Sequence, residues 1–444
     1  MSSESIIANE SARDTETQVS STNMVGELEF TRKNIESLGS NIRLVDSDEE
    51  KGLDLFCYIS CKIDDPEIVK QCRGVVFDKE GNIVLKSFPY TIEYTEENKE
   101  EISKDINLSE CLVYDAYEGA IIKMFYYQNK WFVSTNRKLD AYRSKWASKE
   151  SFGFFFQEAL EYEFQNNERI KEVVSFNPET DNVIELFGEK ILDKTKQYMF
   201  LVLNNSENRI VCDKADHPTL YHVGTYINGE LSMDEDIMVP YPRKHNFEDI
   251  QQLYNYVYDV NYTKIQGVIV FAPNNVQYKI LNVDYKDLYT ARGNEPSINF
   301  RYLQTRMDKR TNDMLRYLYP SRIPNFEDYE NILYRVSKTI YDAYIQRFIK
   351  KQFVTLPREE YTVMSQAHDW HQIDREANRI TLNKVVELLN NQPATNLNRI
   401  IRRIKLEEKK IVDGVERTKT PYVKKQLLPR NNSSSSELKE HASA

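Results

Sequence analysis

The spacing of apolar residues changes near residue 296, and this change limits the folds that the chain can adopt. Between about 50 and 290, short apolar runs of strand length alternate with turn signals such as DKEGN and APNN. Beyond that point apolar residues recur every three or four positions, which is the period of an amphipathic helix. The sequence therefore predicts an α+β body with antiparallel sheets, followed by a mostly helical C-terminal domain.

Individual elements can be predicted from the same runs. The candidate strands are residues 74–78, 83–88, 120–127, 130–135, 182–187, 198–203 and 267–271. Residues 148–164 predict a helix capped by Ser148, and YPSRIPNF (319–326) predicts a loop. The later helices are expected within 325–353, 381–391 and 397–410.

Composition suggests four segments. Residues 1–24 are polar and acidic and residues 431–444 are Ser-rich, so both are expected to be disordered tails. Between them we expect a body at 25–295 and a helical domain at 296–430. The net charge of −10 argues against a general polyanion binder. Residues 399–430 are nevertheless rich in Lys and Arg, which fits either a solvated helix face or a local nucleic-acid contact.

The cysteines and the N-terminal residues indicate the compartment. Five cysteines are scattered at irregular spacings, and MSSESIIANESARD lacks the apolar core of a signal peptide. Both features favour a reducing, intracellular location over secretion. No apolar run approaches the ~18 residues of a membrane span, so no membrane partner is expected.

Seven short pieces of the sequence form an ordered series. They are CRGVVFD (72–78), SFPY (87–90), YEGAIIKMF (117–125), STNRKLDAYRSKW (134–146), IELF (184–187), QGVIVF (266–271) and VQYKI (276–280). In order and spacing they resemble the covalent nucleotidyltransferases, specifically the phage tRNA-repair type of RNA ligase and the RNA-ligase-like proteins of large DNA viruses. The resemblance covers roughly residues 50–290 and implies a nucleotidyltransferase fold, the ATP-grasp-like adenylation domain.

The resemblance also implies a chemistry. In these ligases the lysine of a Lys-x-Asp/Glu-Gly turn attacks ATP and forms a lysyl-AMP, from which the AMP passes to an RNA 5′-phosphate. Such a lysine must be partly deprotonated, cations must hold the phosphates, and carboxylates must bind Mg²⁺ or the ribose. The implied cofactors, if this chemistry or binding is retained, are ATP and Mg²⁺. The implied partners are nucleotide and RNA, as single-stranded or nicked ends, in host cytoplasm, a viral factory or the virion.

Several positions match the family's motifs, and the resemblance implies a nucleotide contact at each. These positions are Arg73, Glu118, Gly119, Glu185, Gly267 and Lys279. Glu118 and Gly119 match the acid and glycine of the nucleophile turn. Glu185 matches the acid of a central strand, which contacts the ribose and is the candidate metal ligand.

Four other positions depart from the family's pattern. Ala116 occupies the nucleophile's position, and Tyr90, Gln266 and Gln277 replace a basic residue, an acid and a lysine. Each change removes a nucleophile or a charge. Cationic phosphate contacts are worth about 1–3 kcal/mol each, so these changes count against the family's usual chemistry.

Two lysines are candidates for a relocated nucleophile. Lys123 shares a strand face with Ile121 and Phe125, and it either lines a pocket or, as we favour, is a solvated strand lysine. Lys138, beside Arg137, is a reasonable phosphate contact.

RNA contacts are predicted just after the last motif. Arg292, Arg301 and Arg306 are interleaved with Phe300 and Tyr302. This pattern suits single-stranded nucleic acid, where cations follow phosphates and aromatic rings stack on bases. An amphipathic helix joining two domains fits the same residues.

Two functions follow from these features. The first is a degenerate RNA-ligase-like protein, a pseudoenzyme that binds nucleotide or RNA ends without forming a lysyl-AMP. The alternative is an active ATP-dependent RNA ligase that uses a relocated lysine or accepts pre-adenylated ends.

Overall fold

The structure, a computed structural model, describes residues 28–39, 41–203 and 210–412. The chain divides into two compact units, Met1–Tyr90 and Thr91–Ala444. The tails predicted at 1–24 and 431–444 lie outside the described residues, and the predicted boundary between 295 and 296 stays a prediction. Among the described helices, none combines the length and the apolar character that crossing a bilayer requires.

The first unit contains one antiparallel sheet in the order β1-β2-β3-β4. Its elements are α1 (Arg32–Ser37), β1 (Ile42–Asp48), β2 (Leu53–Tyr58), α2 (Glu67–Gln71), β3 (Arg73–Phe77) and β4 (Ile83–Leu85). Ile35 of α1 packs with Phe56, Val75 and Phe77 of the sheet in a small buried core. Thr31 caps α1, because its hydroxyl accepts a hydrogen bond from the N–H of Asn34 at 3.3 Å.

The described residues of the second unit contain ten strands in two five-stranded sheets. The strands are β5 (Thr91–Tyr94), β6 (Leu112–Ala116), β7 (Gly119–Tyr127), β8 (Lys130–Ser134), β9 (Gln197–Leu203), β10 (Leu220–Ile227), β11 (Glu230–Ser232), β12 (Lys244–His245), β13 (Gly267–Phe271) and β14 (Gln277–Leu281). We call the sheet with the order β12-β6-β13-β14-β5 the Ala116 sheet, and the sheet with the order β11-β10-β9-β7-β8 the Gly119 sheet. All pairings are antiparallel except that of β14 with β5.

Helices flank these sheets and form most of the chain beyond residue 283. They are α3 (Lys99–Asp105), α4 (Phe152–Asn166), α5 (Glu168–Val173), α6 (Val183–Lys190), α7 (Ile250–Asp259), α8 (Val283–Arg292), α9 (Ile298–Thr305), α10 (Lys309–Leu318), α11 (Ile323–Tyr344), α12 (Arg358–Ile373), α13 (Leu382–Asn390) and α14 (Ala394–Val412). The predicted fold class, α+β with antiparallel sheets and a mostly helical C-terminal part, is confirmed.

One hydrophobic core joins the C-terminal helices to the segments that border the β6–β7 turn. It runs from Leu303 and Leu333 in the helices to Val211, Cys212 and Tyr285. Val211, Cys212 and Tyr285 lie next to the turn, so their packing against the C-terminal helices holds this part of the backbone in place.

Most of the predicted strands are confirmed, but the one at 182–187 is wrong. That run is the start of α6, which Asn182 caps by accepting hydrogen bonds from the N–H groups of Ile184 and Glu185. Val183 and Phe187, four residues apart, are both buried. A short apolar run fits either period, and the capping side chain favours the helix.

Two predicted boundaries also differ. Helix α4 begins at Phe152 and is capped by Ser151, whose hydroxyl accepts from the N–H of Phe154 at 3.2 Å, so the prediction of Ser148 as the cap is wrong. The loop predicted at 319–326 is a 3₁₀ turn that leads directly into α11. Pro324 does not interrupt that helix because it occupies the first turn, where no intrahelical N–H bond is lost.

Candidate functional site

The turn from Ala116 to Gly119 connects the two sheets of the second unit. Ala116 ends β6, where it pairs with Gly267, and its carbonyl accepts a hydrogen bond from the N–H of Gln266 at 2.8 Å. Its side chain is 4% exposed. A methyl group has no lone pair with which to attack phosphorus, so this position supplies no nucleophile.

The carboxylate of Glu118 is held by four donors. Oε1 accepts the N–H of Ile210 at 3.0 Å, and Oε2 accepts the N–H of Val211 at 2.9 Å and of Cys212 at 3.2 Å. The hydroxyl of Tyr285 donates to Oε2 at 3.1 Å. These partners lie 92 to 167 residues away in sequence, so Glu118 fastens its turn to distant parts of the chain.

Glu118 is enclosed as well as saturated. It is 8% exposed. Burial raises the pKa of its carboxyl, while the three N–H groups and the Tyr285 hydroxyl act in the opposite direction. The four hydrogen bonds make the carboxylate an anchor of the turn, with three of the donors on Oε2 and one on Oε1.

Glycine is required at two positions of this site. A Cβ at Gly119 would lie 2.4 Å from the carbonyl oxygen of Val202, because β7 and β9 approach closely there. Gly267 has a φ of +144°, and a Cβ there would lie 2.1 Å from the carbonyl oxygen of Ile280. The two matched glycines therefore have a steric role in the sheets, whatever else they contact.

A polar cavity of about 240 Å³ is lined in part by Glu118. Its lining includes two exposed lysines, Lys214 and Lys264, and two tyrosines, Tyr117 and Tyr221. The remaining lining residues are Glu118, Leu203, Cys212, Asp213, Ala215, Asp216, His217 and Thr219. This cavity combines cations with aromatic rings next to the Ala116 turn.

The two tyrosines of the polar cavity stack on each other. Their ring centroids are 4.8 Å apart with an interplanar angle of 18°. Burial raises the pKa of Tyr117, so its hydroxyl stays protonated at neutral pH. Tyr117 is therefore a wall of the cavity and a poor nucleophile.

A second, aromatic cavity of about 340 Å³ is also lined in part by Glu118. Trp146, Phe152 and Phe155 supply its rings. The other lining residues are Glu118, Gly119, Ala120, Ser148, Val202, Leu203, Ile210 and Asn294. Apart from Glu118, no charged side chain is part of this lining.

Neither candidate lysine lines these two cavities. Lys123 is 0% exposed, in register with Ser134 of β8 and Met199 of β9, so the favoured interpretation of a solvated lysine is wrong. Phe125 and Phe132, stacked 5.1 Å apart, cover the same face. Lys138 is half-buried in a turn in which its N–H donates to the hydroxyl of Thr135 at 3.1 Å.

The other matched residues are spread over the molecule. Arg73 belongs to the first unit, where its Nη1 donates to the carbonyl of Pro89 at 3.3 Å. Lys279 lies between Ile269 and Glu93 in the Ala116 sheet. Glu185 is exposed in the first turn of α6 and not on a central strand, so the basis for matching it to a strand acid is lost. The strand at the centre of the Gly119 sheet is β9, QYMFLVL, which has no acid.

The residues do not fit an Mg²⁺ held by protein carboxylates. Glu118 is saturated, and Asp115 contacts the ring of His245 at 2.8 Å and the hydroxyl of Tyr256 at 2.5 Å. In the ranges that the structure describes, no group of three His, Cys, Asp or Glu could hold a metal ion. Gln277 is 1% exposed, and its Nε2 lacks a hydrogen-bond partner.

The three arginines predicted to contact RNA have other partners in the structure. Arg292 is 0% exposed. Arg301 donates from Nε to the carbonyl of Ala291 at 2.9 Å, at the C-terminal end of α8. Arg306 forms an ion pair with Glu330 and donates to Asn390 at 2.9 Å. The structure thus gives them packing roles in the helical part, and their contact with RNA stays a prediction.

Sequence reasoning missed several residues of the site. Tyr285 and the backbone of 210–212 complete the Glu118 cluster, and Lys214, Lys264 and Tyr221 line the polar cavity. All lie far from the turn in sequence, and no local pattern links them to it. Lys264 lies just before the strand predicted at 267–271, so chain position was a signal for that lysine alone.

The sequence has relatives among viral proteins, although no protein-family model matches it. It is 27% identical over 379 residues to the immediate-early protein ICP-46 homolog of Invertebrate iridescent virus 6, covering 79% of this chain and 80% of that protein. The homolog of Invertebrate iridescent virus 3 is 29% identical over 360 residues, covering 76% and 74%. Immediate-early protein ICP-46 of Frog virus 3 (isolate Goorha) is 24% identical over 269 residues, covering 58% and 64%.

Solved structures with a similar arrangement include two nucleic-acid ligases. A putative ATP-dependent DNA ligase from Aquifex aeolicus superposes with a TM-score of 0.37 at 12% identity, covering 76% of this chain and 86% of that one. An archaeal ATP-dependent RNA ligase superposes with a TM-score of 0.37 at 11% identity, covering 81% and 94%. At these TM-scores the superpositions are loose.

Proposed function

We propose that this chain is a degenerate RNA-ligase-like protein, which binds a nucleotide or an RNA end without forming a covalent lysyl-nucleotide. The observation that carries the proposal is the state of the β6–β7 turn. Ala116 provides no nucleophile, while Glu118 accepts four hydrogen bonds that keep the turn in place. A turn maintained in this way without its lysine suits binding better than covalent catalysis.

The burial of Lys123 argues against a relocated nucleophile. Its side chain is fully buried on the face of the Gly119 sheet that Phe125 and Phe132 share, so a nucleotide phosphate could not reach it without displacing this packing. Lys138 lies in a turn after β8 and lines neither cavity. A lysine that attacks the α-phosphate must be within bonding reach of it.

The polar cavity is the proposed nucleotide site. Lys214 and Lys264 can contact phosphates, and the stacked rings of Tyr117 and Tyr221 offer an aromatic surface. Any Mg²⁺ would enter with the nucleotide, held mainly by its phosphates and water. The names of the relatives further suggest a viral protein made early in infection that acts inside the host cell.

Self-adenylation is the direct test. The protein is incubated with Mg²⁺ and α-³²P-labelled ATP or GTP, denatured and examined for covalent label, with a ligase that does self-adenylate as the positive control. We expect no label on the protein, together with reversible ATP binding measured by calorimetry. A label that survives denaturation and disappears in Lys123→Ala or Lys138→Ala would overturn the proposal in favour of an active ligase.

Pre-adenylated RNA separates the remaining enzyme from a binder. Sealing of such RNA needs no lysyl-AMP, so the absence of covalent label does not exclude it. We expect binding of 5′-phosphorylated RNA without sealing. A sealed product from pre-adenylated donor would show that the protein is a ligase restricted to the last step. The resemblance to the phage tRNA-repair type stays a prediction under either result.

A further inference from the structure

The aromatic cavity has the chemistry of a site for a flat, uncharged ring. Phe152 and Phe155 lie three residues apart in the first turn of α4, so their rings project from the same face of the helix. Trp146 faces the same space from the segment before that helix. Its volume of about 340 Å³ lies within the range of small-molecule sites.

A buried arginine fixes the tryptophan of this wall. The guanidinium carbon of Arg292 lies 5.0 Å from the ring centroid of Trp146 and 5.8 Å from that of Tyr319. Nη1 donates to the carbonyls of Gly293 and Glu295, while Nε and Nη2 have no hydrogen-bond partner. The cation therefore lies within cation–π distance of two aromatic rings, and this attraction becomes stronger when the cation is desolvated.

The same arginine cluster is connected to the turn. The hydroxyl of Tyr319 donates to the carbonyl of Ile210 at 3.0 Å, and the N–H of Ile210 donates to Glu118 at 3.0 Å. Ile210 itself lines the cavity. Trp146, Arg292, Tyr319, Ile210 and Glu118 thus form one continuous set of contacts behind the cavity wall.

Besides Glu118, the cavity has two neutral polar side chains, Ser148 and Asn294. The side-chain amide of Asn294, which is exposed, makes no hydrogen bond to the described residues. The hydroxyl of Ser148 accepts the N–H of Glu150 at 3.2 Å, and its own proton is available to a ligand. Glu118 already accepts four hydrogen bonds from the chain. Beside this carboxylate, the cavity therefore offers a neutral donor and acceptor pair next to apolar rings.

We propose that the aromatic cavity binds a single unpaired nucleobase, in addition to the nucleotide in the polar cavity. The inference rests on the proposed function, because it takes RNA ends or nucleosides as the ligand. Aromatic side chains stack on bases whatever their sequence, and an amide pairs with a base edge, adenine above all. A chain end with its last base inserted here would place its sugar and phosphate outside the apolar walls.

Nucleosides test this site without any phosphate. Adenosine, guanosine, cytidine and uridine are titrated into the full chain by calorimetry, and saturation-transfer NMR identifies the base protons in contact with the protein. We expect adenosine to bind. Phe155→Leu, which removes the ring but keeps an apolar side chain, should weaken adenosine binding about five- to 150-fold. Asn294→Ala should weaken it and reduce the preference for adenosine over uridine.

Two matched controls accompany these variants. Phe154→Leu changes the neighbouring exposed ring, which does not line the cavity, and should leave adenosine affinity unchanged. Lys264→Ala alters the polar cavity and should weaken ATP but not adenosine. Equal melting temperatures would show that the variants fold alike, and a destabilised Phe155→Leu would leave Asn294→Ala as the deciding variant.

The outcomes separate this inference from the proposed function. No adenosine binding, or adenosine binding that is unaffected by both Phe155→Leu and Asn294→Ala, would overturn the base site. ATP could still bind the polar cavity in that case, and the proposed function would stand. Displacement of adenosine by a fatty acid, with no effect of single-stranded RNA, would also overturn it, because the cavity would then be an acyl-chain site.

Discussion

Two cavities border the carboxylate of Glu118 and differ in their chemistry. The polar cavity has lysines, acids and stacked tyrosines, whereas the aromatic cavity has three rings and aliphatic side chains. Glu118 and Leu203 line both cavities, and Glu118 is the one charged residue that the two linings share. The same buried carboxylate therefore borders two sites of different chemistry.

The two residues of the β6–β7 turn differ in how strongly the fold constrains them. Ala116 contributes a buried methyl group that makes no hydrogen bond. Loss of Glu118 would release three backbone N–H groups and one hydroxyl in a buried place. Within the turn, Glu118 is thus under a stronger physical constraint than Ala116.

Removal of the Glu118 side chain, which lines both cavities, is expected to have the largest effect on stability. Glu118→Ala leaves four buried donors without an acceptor, so it should lower the free energy of unfolding by about 3 kcal/mol or more. Urea denaturation measures this change, and Glu185→Ala, an exposed acid on α6, is the control, with an expected change of about 0.5 kcal/mol or less. Equal stability of the two variants would mean that the cluster does not hold the turn.

Acid should lower the free energy of unfolding through a buried histidine of the Gly119 sheet. His222 in β10 is 0% exposed next to Phe200, and burial lowers its pKa from 6.5 to about 4. Between these values the unfolded chain binds more protons than the folded one, so stability falls as the pH falls. From pH 7 to pH 5 this group should remove about 2 kcal/mol.

Comparison with a variant isolates that contribution. His222→Gln should flatten the pH dependence of unfolding in this window, measured by urea titration at several pH values. Tyr198, Tyr241 and Asp236 are other titratable groups near His222. Burial raises the pKa of both tyrosines, so neither ionises between pH 5 and pH 7. Curves of equal slope for the variant and the unchanged protein would assign the acid sensitivity to another group.

The polar cavity should respond to charge without loss of stability. Lys214→Ala and Lys264→Ala should each weaken ATP binding about fivefold, roughly 1 kcal/mol, and reduce its dependence on salt. Calorimetry at two ionic strengths measures both effects. Lys104→Ala, on the exposed side of α3, is the matched control and should change neither quantity. A similar loss in the control would indicate general electrostatic attraction and no specific site.

Replacement of Ala116 by lysine should have the smallest effect of these changes, measured as covalent label on the protein. Ala116→Lys is expected to yield no covalent label with α-labelled ATP, because Gln266 and Gln277 still stand where the family has charged residues. The assay is the same denaturing gel, with the melting temperature as the check on folding. Label on a folded Ala116→Lys protein would show that the other departures are tolerated by the chemistry.

The strands and the turn could be predicted from sequence because their signals are local. Alternation and β-branched residues identify β7 and β9, and Glu118-Gly119 marks the junction between β6 and β7. The strand predicted at 182–187 is wrong because this six-residue run fits both the strand period and the helix period. Asn182 at its start caps a helix. Local patterns therefore predict elements better than they predict which acid faces a site.

The partners of Glu118 and the burial of Arg292 could not be predicted. The contacts of Glu118 join residues up to 167 positions apart, and no periodic pattern reports such pairs. Arginines interleaved with aromatic residues are typical of an RNA surface and equally of a packed helix. Only tertiary structure shows that the guanidinium of Arg292 lies between two rings.

The pairing of β5 with β14 has a consequence for the order in which the protein folds during synthesis. Each strand of the first unit pairs with a strand inside residues 42–85. Thr91, at the start of β5, instead donates to Gln277, 186 residues later, at 3.4 Å. A ribosome that adds about 5–20 residues per second needs roughly ten to forty seconds to make that partner. The sheet of the first unit can therefore form early in synthesis, whereas the Ala116 sheet can be completed only after β14 has been made.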